Sequence, residues 1–314
     1  MKTKPLSLLF DAMHHHKYSF EDFLSLAVSE HHQPVGWRNR VIYKPSKTLK
    51  AMHSFLNSFV FEYLAINERV SFAYRKGTTL RDAIAPHAHS RAFYQTDLEK
   101  FFDSITEHMV RDAVANALTP AEDLHHHLDR IVALTTIDRR LPIGFSTSPL
   151  LSNACLKHFD DQLEQECISR SWIYSRYADD IVISAQSLDD IEGVEEIVKL
   201  SILEKLGQGF RINQAKSRVT TVGRKVKILG LVILPSGRIT IDKEIREKVE
   251  TQLHFYVTDR RRLARIYGGE VEGGLQRLAG YVSYIHSADP LYLSKLRRKF
   301  GGTVIDSFLH RSAQ

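Results

Sequence analysis

The sequence predicts an α+β protein with a small antiparallel sheet, helices packed behind it and a helical, basic C-terminal part. Three observations predict this class. Short runs of β-forming residues precede Asp97 and flank the Asp179-Asp180 pair, the second as in a hairpin. Amphipathic helical spacing fills much of the chain between these runs. From Lys243 onward the pattern is helical and basic.

The composition is that of an ordinary globular protein, with 314 residues, of which 43% are hydrophobic and 25% are charged. The two cysteines, Cys155 and Cys167, have neither metal-ligand spacing nor the density of a disulfide scaffold. The formal charge of +6 favours a polyanionic partner, because clustered cations release counterions when they meet phosphates. Neither an export signal nor an apolar run of about 18 to 20 residues is present in the sequence. We therefore expect a cytoplasmic protein without a membrane partner.

The N-terminal third is predicted to contain short helices, one strand and one longer helix. Residues 1–35 have the pattern of short helices, and Arg38–Pro45 that of a strand ended by proline. From about Thr48 to Asn67, apolar residues recur at three-to-four spacing and predict a helix with one buried face. A basic turn around Gly77 then leads into another helix.

The central and C-terminal elements follow in order. Residues 107–140 have a helical pattern, and a loop rich in small residues leads into a long helix from about Pro149. Residues 172–187 predict a hairpin with acidic residues in its turn, and a helix is expected near residues 188–206. Several short strands with turns at Gly223 and Ser236-Gly237 precede the basic helical tail.

Three carboxylates form the candidate catalytic centre: Asp97 ends one β run, and Asp179 and Asp180 occupy the hairpin turn. An Asp pair in a turn is usually only solvated. Carboxylates that converge without basic partners repel one another, however, and are tolerated when a divalent cation neutralises them. We predict these residues as catalytic groups and as ligands of two Mg²⁺ ions in a phosphoryl-transfer site, with Mn²⁺ as the open alternative.

Four sequence motifs favour the phosphoryl-transfer interpretation over a solvated turn. The sequence YADD at residues 177–180 resembles the catalytic motif of bacterial reverse transcriptases of the retron type, within the group II-like superfamily. Residues 96–105, 141–153 and 212–219 resemble three further motifs of that family, in family order. The resemblance covers residues 38 to about 300 and implies an RNA-directed DNA polymerase that uses deoxynucleoside triphosphates.

The resemblance also implies a right-hand polymerase fold. On this basis, residues 1–92 are expected to form an N-terminal extension and the fingers. Residues 93–238 are expected to form the palm with the catalytic aspartates, with elements of the fingers interleaved. Residues 239–314 are expected to form a basic, helical thumb.

Roles for single side chains follow from the same resemblance. Phe102 corresponds to the bulky residue beneath the sugar of the incoming nucleotide, and Lys216 to a lysine near the departing pyrophosphate. Small residues around Gly144 let the backbone approach template and nucleotide closely. The predicted nucleotide-binding residues are Leu98, Phe102, Gly144, Lys216, Arg40 and Lys76, with Lys44, Lys50 and Arg75 as further cationic candidates.

Two basic stretches of the predicted thumb, residues 258–269 and 294–300, interleave arginine with Tyr and Phe. Such helices are suited to tracking a duplex or an RNA hairpin, and a solvated basic face is the alternative. The residues predicted to contact RNA or DNA are Tyr177, Gly230, Arg260, Arg261, Arg262, Arg265, Arg297 and Arg298.

The retron type implies a structured noncoding RNA as template and primer, priming from a guanosine 2′-hydroxyl and a branched RNA–DNA product. It also implies a separate effector protein in phage defence. Whether the complex forms a higher oligomer is left open by the sequence.

The chain departs from the retron pattern at three places. Residues 83–87 keep only the histidine of an Asn-Ala-x-x-His element, and residues 228–230 keep only the glycine of a Val-Thr-Gly element. Ile143 replaces a glutamine common in relatives. A stand-alone group II-like or abortive-infection reverse transcriptase is therefore the second hypothesis. A non-catalytic RNA-binding assembly subunit is the third, although the intact aspartates argue against it.

Overall fold

A computed structural model describes residues 3–38, 40–223 and 226–312 and confirms the α+β class. The strands are β1 His32–Trp37, β2 Arg40–Pro45, β3 Ala92–Asp97, β4 Ile173–Tyr177, β5 Asp180–Ala185, β6 Arg218–Thr221, β7 Val226–Ile228, β8 Leu231–Ile233 and β9 Ile239–Ile241. The helices are α1 Leu6–His14, α2 Phe20–Ser25, α3 Lys47–Phe59, α4 Leu80–Ile84, α5 Phe101–Ser104, α6 Glu107–Ala115, α7 Leu128–Thr135, α8 Ser148–Cys155, α9 Lys157–Ser169, α10 Val194–Lys205, α11 Lys243–Thr258, α12 Arg260–Ile266, α13 Val271–Ala288, α14 Pro290–Phe300 and α15 Gly302–Ser312.

The strands form three small sheets. β1 and β2 make an antiparallel hairpin. A four-stranded sheet has the order β4-β5-β3-β6, and β3 pairs antiparallel with β6 from Ala92↔Thr221 to Gln95↔Arg218. β7, β8 and β9 form an antiparallel three-stranded sheet. The sheet that contains β3 and the β4–β5 hairpin thus carries the predicted catalytic residues.

The chain divides into two compact units. The first comprises the chain up to Lys76 together with Thr96–Ile181 and Gly193–Ser217. The second comprises Gly77–Gln95, Val182–Glu192 and the chain from Arg218 onward. The division of the chain into fingers, palm and thumb at residues 92 and 238 stays a prediction.

Helix α3 shows how the first unit builds its core. Ser46 caps the helix by accepting a hydrogen bond from the Leu49 N–H at 3.2 Å. The predicted apolar face is fully buried at Leu49, Met52 and Phe55. The helix ends at Phe59, eight residues before its predicted end, because the Thr119 hydroxyl donates to the Phe59 carbonyl and replaces a helical partner. Tertiary contact rather than local sequence therefore sets this helix end.

The long helix predicted from Pro149 is two helices, α8 and α9, separated at Leu156. Leu156 leaves helical geometry with φ −95° and ψ 4°, and its side chain is fully buried. The break changes the direction in which α9 presents its residues, among them the buried Asp160.

The second unit has a core between a sheet and helices. Buried aliphatic residues of β7, β8 and β9 pack with the apolar faces of the helices from α11 onward. Among the members of this core are Ile228, Leu231, Ile241, Val249 and Leu278. Within the described part of the chain, no helix is both long and apolar enough to cross a membrane.

Two buried histidines make the fold sensitive to acid. His53 is fully buried, and its Nε2 forms a 2.8 Å hydrogen bond with the Leu134 carbonyl. Burial lowers the pKa of His53 to about 4. His87 bonds to the Ser184 hydroxyl at 2.6 Å, and burial lowers its pKa to about 3. Both rings are therefore neutral in the folded protein.

We predict that the stability contributed by these two neutral histidines is complete above pH 6.5 and is lost as the pH falls toward 4, because their rings then bind protons in the unfolded chain that the folded chain excludes. His53 alone contributes about 3 kcal/mol to this loss. Thermal unfolding between pH 7.5 and pH 5 measures it. His53→Gln should show a shallower pH dependence than the wild type, and an equally steep dependence would contradict this assignment.

Candidate active site

Asp97 is the last residue of β3, a strand whose six residues are all buried. Its carboxylate is only 7% exposed, and Oδ2 accepts a hydrogen bond from Lys216 Nζ at 2.7 Å. The Asp97 carbonyl accepts the Asn213 N–H at 2.8 Å, which holds the segment that carries Lys216 against the end of β3. The buried Oδ1 has no hydrogen-bond partner among the described residues. An unsatisfied buried carboxylate oxygen is an unusual feature that a bound cation would satisfy.

The predicted hairpin places Asp179 and Asp180 beside Asp97. β4 ends at Tyr177 and β5 begins at Asp180, so only Ala178 and Asp179 form the turn. Ala178 has φ 57°, in the left-handed region that non-glycine residues seldom adopt. The Leu98 N–H donates to the Asp179 carbonyl at 3.0 Å and ties the turn to the residue that follows Asp97.

The charges at this turn repel one another. Burial is the largest cause, and together with the negative charges of Asp179 and Asp97 it raises the pKa of Asp180 to about 6. Burial and Asp97 likewise raise the pKa of Asp179, whereas Lys216 and Arg40 oppose this. The hydrogen bond to Asp97 is the main reason that the pKa of Lys216 is raised. The site therefore carries more negative charge than its own lysine balances, and it favours an added cation.

The described residues contain no group of three His, Cys, Asp or Glu side chains arranged to hold a metal ion. Lys216 instead neutralises Asp97 directly. The unpartnered Oδ1 of Asp97 and the raised pKa values of Asp179 and Asp180 still fit a cation, since each reflects a carboxylate that lacks positive charge.

A fully buried ion pair contacts the turn that contains Ala178 and Asp179. The Arg176 guanidinium donates to the Asp160 carboxylate from Nε at 2.7 Å and from Nη2 at 2.5 Å, and both side chains are 0% exposed. The Tyr174 hydroxyl also donates to Asp160, at 2.8 Å. Arg176 Nη1 donates to the Ala178 carbonyl at 2.9 Å. The guanidinium thus holds the strained residue that directly precedes Asp179.

The same network reaches two other segments of the first unit. Arg176 Nη2 donates to the Ser71 hydroxyl at 3.1 Å, and Ser71 donates to Asn153 Oδ1 at 3.1 Å. Asn153 Nδ2 donates to the Ala73 carbonyl at 2.6 Å. One set of buried hydrogen bonds therefore joins the segment around residue 72, helix α8 and the turn of Ala178 and Asp179. Charged groups in such a network stay buried because they are paired and fully hydrogen-bonded.

The predicted small-residue loop packs directly on the β1–β2 hairpin. The Tyr43 N–H donates to the Ile143 carbonyl at 2.8 Å. Gly144 has φ 107°, and a Cβ at this position would collide with the Tyr43 carbonyl and approach Ile42 Cγ2 to 2.8 Å. Glycine is required at this position for both its backbone conformation and its lack of a side chain.

The other residues predicted to bind nucleotide lie in the same unit. Leu98 is buried and Phe102 is half-buried, with its ring 5.2 Å from that of Phe101. Arg40 is exposed on β2, and its charge acts on Asp179. Lys76 is exposed and forms an ion pair with Glu62.

The other predicted residues of this unit, Tyr177, Lys44, Lys50 and Arg75, differ in burial and in hydrogen bonding. Tyr177 is half-buried at the end of β4, and Lys44 and Lys50 are exposed. Arg75 donates to the Glu68 and Ser71 carbonyls at 2.7 and 2.8 Å, which gives it a structural role in its own segment.

Gly230 and the predicted thumb arginines belong to the second unit. Leu229 and Gly230 form the two-residue turn between β7 and β8, both with positive φ, and Gly230 faces the Tyr284 hydroxyl. Arg260 and Arg262 are exposed and lie over the rings of Tyr256 and Phe255. Arg261, Arg265 and Arg298 are exposed, whereas Arg297 is half-buried and paired with Asp306 at 2.7 Å.

Comparison with known proteins identifies a family and several relatives. Residues 32–233 match the family described as Reverse transcriptase (RNA-dependent DNA polymerase). Retron Ec73 reverse transcriptase of Escherichia coli is 27% identical over 274 residues, which are 83% of this chain and 83% of the relative. Retron Ec86 reverse transcriptase of the same organism is 27% identical over 271 residues, covering 84% of this chain and 78% of the relative.

Among solved structures, apo telomerase from Candida tropicalis is similar with a TM-score of 0.50 and 10% sequence identity. The likeness covers 90% of this chain but only 61% of the telomerase chain, and it concerns the fold alone.

The fold and the family match together define a polymerase of the right-hand type. Since the family match spans well over half of its residues, the chain belongs to the reverse transcriptase (RNA-dependent DNA polymerase) family. Its activity is RNA-directed DNA synthesis on an RNA template. Reverse transcriptases generally use divalent metal ions. The resemblance to retron enzymes inferred from the four motifs is confirmed by the relatives.

Sequence patterns alone missed the network beneath the turn. Asp160 lies in an ordinary acidic helix, and Arg176 is one arginine among many in a basic chain. The only available signal was the position of Arg176 inside a β run that is otherwise predicted to be buried, since an arginine seldom faces a core without a partner.

The ion pair gives a first test of the site. We predict that Arg176→Met lowers the free energy of unfolding by about 3 to 5 kcal/mol, because Asp160 is left charged and unpaired. Adding Asp160→Asn removes that charge and keeps an acceptor for Tyr174, so most of the stability should return. DNA synthesis should stay low in the double variant, because the Ala178 carbonyl still lacks its donor. Recovery of both properties would mean that Arg176 has no role beyond stability.

The raised pKa of Asp180 gives a second test. Its folded value of about 6 lies above the ordinary value of 3.8, so the ionised carboxylate destabilises the fold above pH 6 and ceases to do so toward pH 4. We predict that Asp180→Asn raises stability at pH 7.5 by about 1 to 2 kcal/mol, after allowance for partial solvent screening. The difference in melting temperature from the wild type should shrink as the pH approaches 4. DNA synthesis should be lost, because a catalytic carboxylate is missing.

Proposed function

We propose that this protein is a retron reverse transcriptase that copies a structured noncoding RNA and remains joined to its product. Synthesis begins from a guanosine 2′-hydroxyl of the same RNA, which gives a branched RNA–DNA. The observation that carries the proposal is that retron reverse transcriptases match more than four fifths of the chain, at 27% identity for two of them. The four catalytic motifs in family order support the same function.

In this proposal Asp97, Asp179 and Asp180 hold two Mg²⁺ ions. Such ions supply a lowered pKa at the attacking hydroxyl and neutralise charge on the leaving pyrophosphate. The protein's own part is to aim the carboxylates: β3 fixes Asp97, and the Leu98 N–H and Arg176 fix the turn. Lys216, which is 63% exposed, is close enough to the aspartates to move from Asp97 to a phosphate.

Further residues are assigned to the substrates. Arg40 and Lys76 bind the triphosphate, Phe102 lies beneath the sugar, and Leu98 and Gly144 line the nucleotide site. Exposure of both cations and the effect of Arg40 on Asp179 support this assignment. Template and product are contacted by Tyr177, Gly230, Arg260, Arg261, Arg262, Arg265, Arg297 and Arg298.

The biological setting follows from the retron type. The protein acts in the cytoplasm with its noncoding RNA and deoxynucleoside triphosphates, and a separate effector protein is restrained by the RNA–DNA complex during phage defence. Higher oligomers of this complex are consistent with such a role.

A stand-alone group II-like reverse transcriptase is the second candidate, and the segment 228–230 favours it. Its residues Ile-Leu-Gly replace the Val-Thr-Gly of retrons. Leu229 has φ 51° and Gly230 φ 85°, so the turn itself requires the retained glycine, while Leu229 packs on the core of the second unit. Ile228 is also buried in that core, so the difference from the retron element lies in the residues that support the turn.

The product distinguishes these functions. The protein is expressed with its flanking genomic region and purified with its bound nucleic acid, which is then treated with RNase, DNase or debranching enzyme. We predict a discrete single-stranded DNA whose mobility changes on debranching. The Asp179→Ala, Asp180→Ala variant is the control and should yield RNA without DNA.

Heterogeneous or unbranched DNA from the wild type would instead support the group II-like candidate. Nucleic acid without DNA from both proteins would support a binding subunit and contradict the proposed function.

A further inference from the structure

Tyr74 has a backbone conformation that its side chain disfavours. Its φ is 60°, in the left-handed region, where a bulky residue is a true outlier. Its side chain is nevertheless 40% exposed, so burial of the ring does not account for the strain. Among the described residues, Tyr74 makes no ring contact and no side-chain hydrogen bond.

Contacts on both sides hold this conformation in place. The Ala73 carbonyl accepts from Asn153 Nδ2 at 2.6 Å. Arg75 Nη1 donates to the Glu68 and Ser71 carbonyls at 2.7 and 2.8 Å. Neither neighbour can rotate to relax Tyr74 without breaking these bonds. Strained residues persist when their surroundings fix them in this way, and they are concentrated at functional sites.

The strained residue lies level with the catalytic turn. Ser71 forms a parallel bridge with Arg176, and the Phe72 N–H donates to the Arg176 carbonyl at 3.0 Å. This bridge joins the segment that leads to Tyr74 to the strand that leads to Asp179. Burial raises the pKa of Tyr74, and Asp179 is the next largest cause, which agrees with this position.

One side of Tyr74 is open. Tyr74 lines a cavity of about 410 Å³ together with Lys76, Leu150 and Asn153. Lys76 and Arg75 lie at the rim beside their ion-pair partners Glu62 and Glu68, so the rim carries charges of both signs, and Leu150 supplies an apolar surface. The ring of Tyr74 and the apolar surface of Leu150 are suited to a flat aromatic group.

We propose that Tyr74 is a specificity-determining residue that stacks on a nucleobase beside the catalytic aspartates during DNA synthesis. The nucleobase belongs either to the incoming nucleotide or to the template. The inference rests on the polymerase activity of the site and deepens it by naming a substrate contact. It is independent of the priming mechanism and of the branched product.

The backbone strain supplies a test that separates this role from a structural one. Tyr74→Gly removes the ring and also relieves the left-handed conformation, since glycine adopts it freely. Tyr74→Asn, which also tolerates that conformation, is a second ringless variant. Tyr74→Phe keeps the ring. Ser171→Gly is the matched control, because Ser171 has φ 57° at an exposed turn between α9 and β4.

Primer extension on an RNA template with an annealed DNA primer is measured together with the melting temperature. We expect Tyr74→Gly and Tyr74→Asn to melt at or above the wild-type temperature but to lose about ten-fold or more in kcat/KM, the range that one base–aromatic stack supports. Tyr74→Phe should stay within about two-fold, and Ser171→Gly should be fully active. A raised KM for the deoxynucleotide identifies the incoming base, whereas a raised Kd for primer–template identifies the template base.

Wild-type kcat/KM and unchanged substrate affinities in both ringless variants would overturn the proposal. An activity loss in both that only parallels a lowered melting temperature would also overturn it, since Tyr74 would then be a packing residue. Wild-type extension without a branched product in the cell would contradict the retron function alone and leave this measurement valid.

Discussion

The buried ion pair between Arg176 and Asp160 is the interaction on which the turn of Ala178 and Asp179 depends. A guanidinium and a carboxylate removed from water are stable only when each is paired and its remaining hydrogen-bonding groups are satisfied. Here the remaining donors of Arg176 reach the Ala178 carbonyl and the Ser71 hydroxyl. Because the buried guanidinium needs hydrogen-bond acceptors for all its donors, these bonds fix the geometry of the turn. The buried guanidinium of Arg176 thereby holds the residue that precedes Asp179 and Asp180.

The candidate catalytic carboxylates next to this ion pair have the opposite organisation, because they lack partners. Asp179 and Asp180 are partly buried near Asp97, and their pKa values are raised because positive charge is insufficient. Lys216 offsets part of this charge from an exposed position. The fold thus contains a fully hydrogen-bonded ion pair, Arg176–Asp160, next to a cluster of aspartates whose negative charge is only partly neutralised.

Backbone conformations that side chains disfavour mark the same region. Ala178 in the turn and Tyr74 beside it both have positive φ, and each is fixed by hydrogen bonds to its neighbours. Asn153 and Ser71 belong to the network that holds Arg176, so a single set of polar contacts restrains both positions. Such restraint is expected where a protein presents groups to a substrate instead of packing them in a core.

The sequence by itself determined the α+β class, the β3 and hairpin positions of the aspartates and the family, because these depend on local periodicity and on contiguous motifs. It also indicated the loop at Gly144, where a missing side chain is a visible signal. Only the tertiary structure decided that α3 ends at Phe59, that Asp160 joins Arg176 and that Lys216 meets Asp97. Each of these depends on groups far apart in the chain. Local propensity contains no information about which distant donor will satisfy a given carbonyl or carboxylate, and that choice is made when the segments pack.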